Sequence, residues 1–427
     1  MLSVEDNNML TNTDPGTPMG ELFRRYWIPA LLSEELLKPD CPPIRVKLLG
    51  EELLAFRDTN GKVGLIDEYC PHRLVSLYFG RNEECGIRCV YHGWKFDVEG
   101  FCVDMPSEPP KSNFKDAVKI KSYPCEERGG IVWTYMGPPE HKPPLPEMEW
   151  AMVPESHRFV TKRSQVCNYF QALEGGIDPA HVSFLHRGDI GGIGFSEGSS
   201  KSEEYLKKDT APVFECEETD FGVLIAAKRK IDKDQSYCRI TQFLMPWYNF
   251  VPPFGDAPRG GHAFVPIDNE NCYNYTFTWH ATRPLTEEEL EREKSGAGIH
   301  AKLIPGTSLT VQNKENDYMM DRELQASGRS YTGIIGVGIE DQAVQESGKR
   351  IIDRSKERLG SSDTAIIHTR RLLLNTCRAL QNGKAPKAIQ PESQRIRAVS
   401  LVVKDGDSIK EVAKDLMQVT EKDFIAP

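Results

Sequence analysis

Cys70 and His72 in "EYCPHR", and Cys89 and His92 in "RCVYHGW", form a Cys-x-His pair and a Cys-x-x-His pair separated by sixteen residues. Thiolate sulfur and imidazole nitrogen are metal donors, and four of them fill either a tetrahedral zinc site or a two-iron cluster. Common zinc modules group like with like, Cys beside Cys and His beside His. Here each short loop carries one of each. That distribution suits a [2Fe–2S] cluster with both sulfurs on one iron and both imidazoles on the other. Replacing two thiolates by neutral imidazoles removes negative charge and raises the reduction potential to between about −150 and +300 mV. Zinc is the rival reading at this site.

A second set lies in "EGGIDPAHVSFLH", with Asp178, His181 and His186. Singly, each has an ordinary use: an aspartate before Pro179 caps a helix start, and a lone histidine is more often packed than ligating. Two histidines five residues apart on a regular helix point about 140° apart. A helix that breaks or restarts near Gly176–Pro179 brings them together.

Holding four donors on two loops requires a compact β unit. Residues 44–67, "IRVKLLGEELLAFRDTNGKVGLID", read as short consecutive strands with Asn60-Gly61 at a hairpin turn. Strand signals continue through "RCVYHGWKFDVEGFCV" and "GGIVWTYMG", and the proline-rich "GPPEHKPPLPEM" (137–148) marks a domain boundary. Beyond it, "NYFQALEGGIDPAHVSFLH" has helical apolar spacing interrupted by Gly175, Gly176 and Pro179. "FGVLIAAKRKI", "YCRITQFLMPWYNFV", "GHAFVPI" and "NYTFTWHATRPL" are strand-like. Thr286 and Glu289 make a capping box for an exposed helix, and a longer helix in "SDTAIIHTRRLLLNTCRALQNG" stops at Asn382-Gly383. The pattern is a small β domain followed by a larger α+β domain.

The chain has 427 residues, beyond the usual reach of one core. Its net charge of −10 argues against a nucleic-acid-binding surface. No run of eighteen apolar residues suggests a membrane span, and the acidic "MLSVEDNNML" lacks the apolar stretch of a secretory leader. Eleven cysteines, an odd and scattered set, point to a reducing, cytoplasmic setting rather than a disulfide framework.

At Cys70, His72, Cys89 and His92 the chain resembles a Rieske [2Fe–2S] domain. The Asp-x-x-His-x4-His motif after it is similar to the mononuclear iron motif of Rieske non-heme iron oxygenases. The likeness runs over nearly the whole chain, including "TPMGELFRRYWIPA", and "QALEGGIDPAHVSFLH" with "EDQAVQES" lies nearest the phthalate dioxygenase-like large subunits. It implies an α+β fold, with an N-terminal segment (1–45), an all-β Rieske domain (46–148) and a catalytic domain (149–427) of antiparallel sheet and surrounding helices. It also implies one [2Fe–2S] cluster on Cys70, His72, Cys89 and His92, and one mononuclear Fe(II) on His181, His186 and a distant carboxylate. In "GVGIEDQAVQES" the matching position is Asp341, with Glu340 as its rival and Glu346 and Asp353 behind it. Asp178 is implied as a bridge instead of a ligand, linking His181 to a Rieske histidine of the next subunit. Such a head-to-tail contact must close into a ring, a trimer or a stacked pair of trimers.

No Gly-x-Gly-x-x-Gly follows a strand, so electrons come from a separate NAD(P)H-dependent reductase or ferredoxin. The resemblance implies oxidation of an aromatic acid by O2, through ring dihydroxylation or through monooxygenation that includes O-demethylation. A carboxylate substrate calls for a buried cation. Lys228, Arg229 and Arg239 are the candidates, Arg239 with Tyr237 and Thr241 on its strand face. Trp247, Tyr248, Phe250 and Phe254 offer apolar walls. Two other classes compete: an electron carrier with two irons and no third, and a structural zinc protein.

Overall fold

A computed structural model describes residues 2–187 and 201–424, and the chain divides into two compact units. One is Thr13–Leu145; the other joins Met1–Asn12 to Pro146–Pro427. The segment 1–45, expected to stand apart, is therefore shared between them. Strand Trp27–Leu32, buried throughout, pairs with Ile131–Tyr135, about a hundred residues later. Helix Val4–Thr11 belongs to the larger unit, where Asn7 donates to the Ile352 carbonyl and accepts from Arg354. Long-range pairing of this kind leaves no local sequence signal.

The smaller unit is built of three antiparallel sheets. Strands Ile44–Leu48, Glu51–Arg57 and Val63–Asp67 follow one another as the sequence predicts, with Gly61 at φ 85° in the turn. A second sheet contains Arg81–Glu83, Gly86–Arg88, Lys95–Phe96 and Cys102–Asp104. Leu54, Phe56, Ile66, Ile87, Trp94 and Phe96 pack into one core, and Cys70 and Cys89 are part of it.

The larger unit is organised on one antiparallel sheet. Its strand order is Arg158–Gln165, Cys272–Trp279, Arg259–Pro266, Tyr248–Val251, Gln235–Leu244, Gly222–Asp232, Val213–Glu218, and Val399–Lys404 also pairs with Gln235–Leu244. Asn249, His262, Thr276 and Thr161 are cross-strand partners and so share one face. Asn249 Nδ2 donates to the Gly176 carbonyl at 2.8 Å, and Arg163 Nη2 donates to the Gly338 carbonyl at 3.2 Å. Helices Tyr169–Gly176 and Val337–Glu346 thus lie on this face. Gly176 permits the close approach, since a Cβ there would meet Asn249 Oδ1 and Phe264 at 2.9 Å. The expected capping box of Thr286 and Glu289 opens helix Glu287–Ser295, and helix Thr364–Gln381 ends at Asn382.

Candidate metal centres

In the β unit both candidate ligand pairs sit on turns closed by backbone hydrogen bonds. Leu74 N–H donates to the Cys70 carbonyl at 2.9 Å and Gly93 N–H to the Cys89 carbonyl at 3.0 Å. Gly93, at φ 78°, takes the left-handed conformation that the second turn needs. The cysteines are rooted in the core, while His72 and His92 stand half-buried at the loop tips. Their rings lie 4.4 Å apart, and Trp94 stacks on His72 with centroids 4.4 Å apart and planes 8° off parallel. Arg88 ties the second loop down, donating to the Gly93 carbonyl and to Asp104.

Two features fit a cluster. Burial and the neighbouring Cys89 push the Cys70 thiol up to about 11, a penalty that metal coordination relieves by holding the thiolate. His92 Nδ1 is buried with no hydrogen-bond partner among the described residues, and burial with His72 and Arg73 nearby pushes its pKa down. A neutral imidazole with an unengaged nitrogen is a metal donor.

In the larger unit helix Tyr169–Gly176 stops at the two glycines, and Pro179 disfavours helical backbone at Asp178. A single 3-10 turn, His181–Ser183, follows. The break turns the two histidines together. His181 Nε2 and His186 Nε2 are 3.1 Å apart, and Asp341 Oδ1 lies 3.5 Å from the first and 3.4 Å from the second. Donors about 2.1 Å from one ion and at right angles about it would be separated by about 3.0 Å. Among the described residues these three form a group with all donor atoms within 4.8 Å.

Charge points the same way. Burial pushes the Asp341 carboxyl up, but His186, His181 and His262 hold it well below the usual range. Burial pushes His186 down, and Asp341 and Glu340 more than reverse it. A buried site with this excess of carboxylate favours a cation.

The rivals of Asp341 go elsewhere. Glu340 reaches the far edge of His186. Glu346 accepts from Val166 N–H, Gln342 and Tyr318, and Asp353 caps Ser355. Asp178 Oδ1 accepts from Ala180 N–H at 2.8 Å, and its Oδ2 is 3.7 Å from His181 Nδ1.

The three cationic candidates separate by strand alternation. Lys228 pairs in register with Cys238, on the face away from these helices, and is ion-paired with Glu215, so it is corrected out of the site. Arg229 is on the helix face but braces the histidine loop, donating to the Pro179 carbonyl at 3.0 Å and Ser183 Oγ at 3.3 Å. Arg239 is buried over the Phe254 ring at 4.2 Å, and its Nη1 has no hydrogen-bond partner among the described residues. It lines a 270 Å³ cavity with Phe254, Gly260, Thr278 and Ile299. Trp247, Tyr248 and Phe250 are core residues; of the four aromatics only Phe254 lines this cavity. Sequence reasoning missed Arg163, whose buried guanidinium burial pushes down to about 10 while Asp341 pulls it back up. It also missed the neutral His262, pushed down to about 4 by burial and Arg163. Both sit on ordinary alternating strands.

Residues 26–124 match the Rieske [2Fe-2S] domain family, and residues 134–420 match the LigXa C-terminal domain like family. The chain belongs to the Rieske non-heme iron oxygenases. It is 38% identical to the 3-chlorobenzoate-3,4-dioxygenase oxygenase subunit of Comamonas testosteroni, over 92% of this chain and 93% of that one. It is 39% identical to the phthalate 4,5-dioxygenase oxygenase subunit of Pseudomonas putida, over 90% and 88%. The 5,5'-dehydrodivanillate O-demethylase oxygenase subunit of Sphingobium sp. is 31% identical over 96% and 89%. In fold, dicamba monooxygenase superposes with a TM-score of 0.58 at 19% identity, covering 84% of this chain and 99% of that one. This Rieske oxygenase is thus a large subunit of the phthalate dioxygenase-like group, with a [2Fe–2S] cluster and a mononuclear iron as its cofactors. The electron-carrier and zinc readings fall. No helix among the described residues is long and apolar enough to cross a membrane.

Proposed function

We propose that this oxygenase oxidises an aromatic acid held with its ring beside His181, His186 and Asp341 and its carboxylate on Arg239. The observation that carries the reading is the buried cation Arg239, which lines a 270 Å³ cavity on the helix-covered sheet face with Phe254, Gly260 and Thr278. A guanidinium is the side chain best suited to pair with a carboxylate. Chlorobenzoate and phthalate, named for two relatives, are aromatic carboxylates.

In this reading Cys70, Cys89, His72 and His92 hold the cluster, and His181, His186 and Asp341 hold the iron. When bound, these groups supply single electrons and the reductive activation of O2. The chain's own part is placement. Arg239 fixes one end of the substrate, and Phe254 covers the guanidinium. Electrons come from a separate NAD(P)H-dependent reductase or ferredoxin.

Asp178 serves as the bridge from His181 to a Rieske histidine of a neighbouring protomer, which closes a head-to-tail trimer or a stacked pair of trimers. Its support is the half-buried Asp178 side chain, whose Oδ2 lies 3.7 Å from His181 Nδ1 while Oδ1 accepts from the backbone. The test is a screen of aromatic acids with NADH and a reductase, following O2 uptake and formaldehyde. Formaldehyde marks O-demethylation and its absence with a diol product marks ring dihydroxylation. Uptake with uncharged aromatics but with no acid would contradict the reading.

A further inference from the structure

Glu340 and Asp341 stand side by side on helix Val337–Glu346, and successive residues of a helix diverge by about 100°. The two carboxylates therefore approach His186 from different sides. Asp341 meets the Nε2 edge at 3.4 Å. Glu340 Oε2 lies 2.8 Å from Nδ1, and its Oε1 accepts from Thr332 Oγ1 at 2.5 Å. His186 is 8% exposed and Glu340 7%, so water does not compete for the contact.

An imidazole that donates Nδ1–H to a carboxylate carries its lone pair on Nε2. On His186 that is the atom facing His181 and Asp341. We infer that Glu340 is a positioning residue that fixes the tautomer and ring orientation of His186 for metal binding.

The two histidines are supported unequally. His181 has Asp178 at 3.7 Å, beyond hydrogen-bond distance and partly open to solvent. His186 has a short, sealed contact. Within one protomer His186 therefore has the shorter and more buried support of the two.

The inference rests on the reading that His181, His186 and Asp341 hold the metal, and Co(II) binding separates the two. The mononuclear site of the full-length protein is stripped by mild chelation, leaving the cluster colour intact, and Co(II) binding is followed by equilibrium dialysis. Glu340→Leu binds Co(II) about 10–100-fold more weakly, while Glu340→Gln, which keeps an oxygen acceptor at Nδ1, stays within about threefold of the parent. Glu340→Asp, whose carboxylate falls one methylene short, weakens binding as well and serves if the leucine disturbs folding. Parent-like affinity in the leucine and aspartate variants overturns the inference, as does a glutamine variant as weak as the leucine one. Unchanged Co(II) binding in His186→Ala would instead remove the metal-site reading itself.

Discussion

The Nε2 atoms of His181 and His186 lie 3.1 Å apart, each within 3.5 Å of the same Asp341 oxygen. Two imidazole lone pairs and a carboxylate converge in this way only around a cation or shared protons. His181→Ala removes one donor without touching the β unit. The variant is expected to keep its red-brown cluster colour and melting temperature while substrate-dependent O2 uptake falls at least about 100-fold. Oxygen-electrode traces and visible spectra check both.

Asp178→Asn tests the bridge. Asparagine keeps the oxygen that accepts from Ala180 N–H and loses the charge facing His181. Both metals stay bound and turnover falls about 10–100-fold. Rapid-mixing reoxidation of the cluster, slowed with iron content unchanged, is the expected signature. Loss of one iron per chain would make Asp178 a ligand.

Arg239→Gln tests the substrate anchor. A hydrogen bond to a charged group contributes about 1.5–3 kcal/mol, so KM for the acid rises about 10–150-fold. The methyl ester of the same acid, lacking the charge, shows little change. Steady-state O2 uptake with acid and ester distinguishes this from a general loss of packing.

Stability of the β unit carries a pH signature at Glu51. Burial pushes its carboxyl up, but hydrogen bonds from Arg24, Lys121 and Tyr123 outweigh that and hold it below the ordinary range. A depressed carboxylate stabilises the fold above its unfolded pKa of about 4.3, and the contribution disappears as pH falls through the folded value. Glu51→Gln is expected to cost about 1 kcal/mol at pH 7. The gap from the parent stays constant down to about pH 5.5 and closes below about pH 4. Urea unfolding of both proteins across that range measures it.

The two Cys/His pairs were legible as a candidate cluster motif because each sits on one short turn, where sequence spacing is nearly spatial spacing. The hairpin at Asn60-Gly61 and the capping box at Thr286 were legible for the same reason. The convergence of His181 and His186 depends on a helix break, which Gly175, Gly176 and Pro179 announce without fixing its geometry. Glu340 and Asp341 are neighbours, and only the orientation of their helix decides which meets Nε2 and which meets Nδ1. Lys228 and Arg229 had to face opposite ways on a strand, but which face the helices cover was set far away, through Asn249 and Arg163. Trp27–Leu32 joined the β unit through Ile131–Tyr135, a pairing no local pattern reports.

Iron counting on matched proteins tests the central claim most directly. Fully loaded parent protein should hold three irons per chain, and Asp341→Ala should hold two with an unaltered cluster spectrum. Two irons in the parent, or three in the variant, would contradict it.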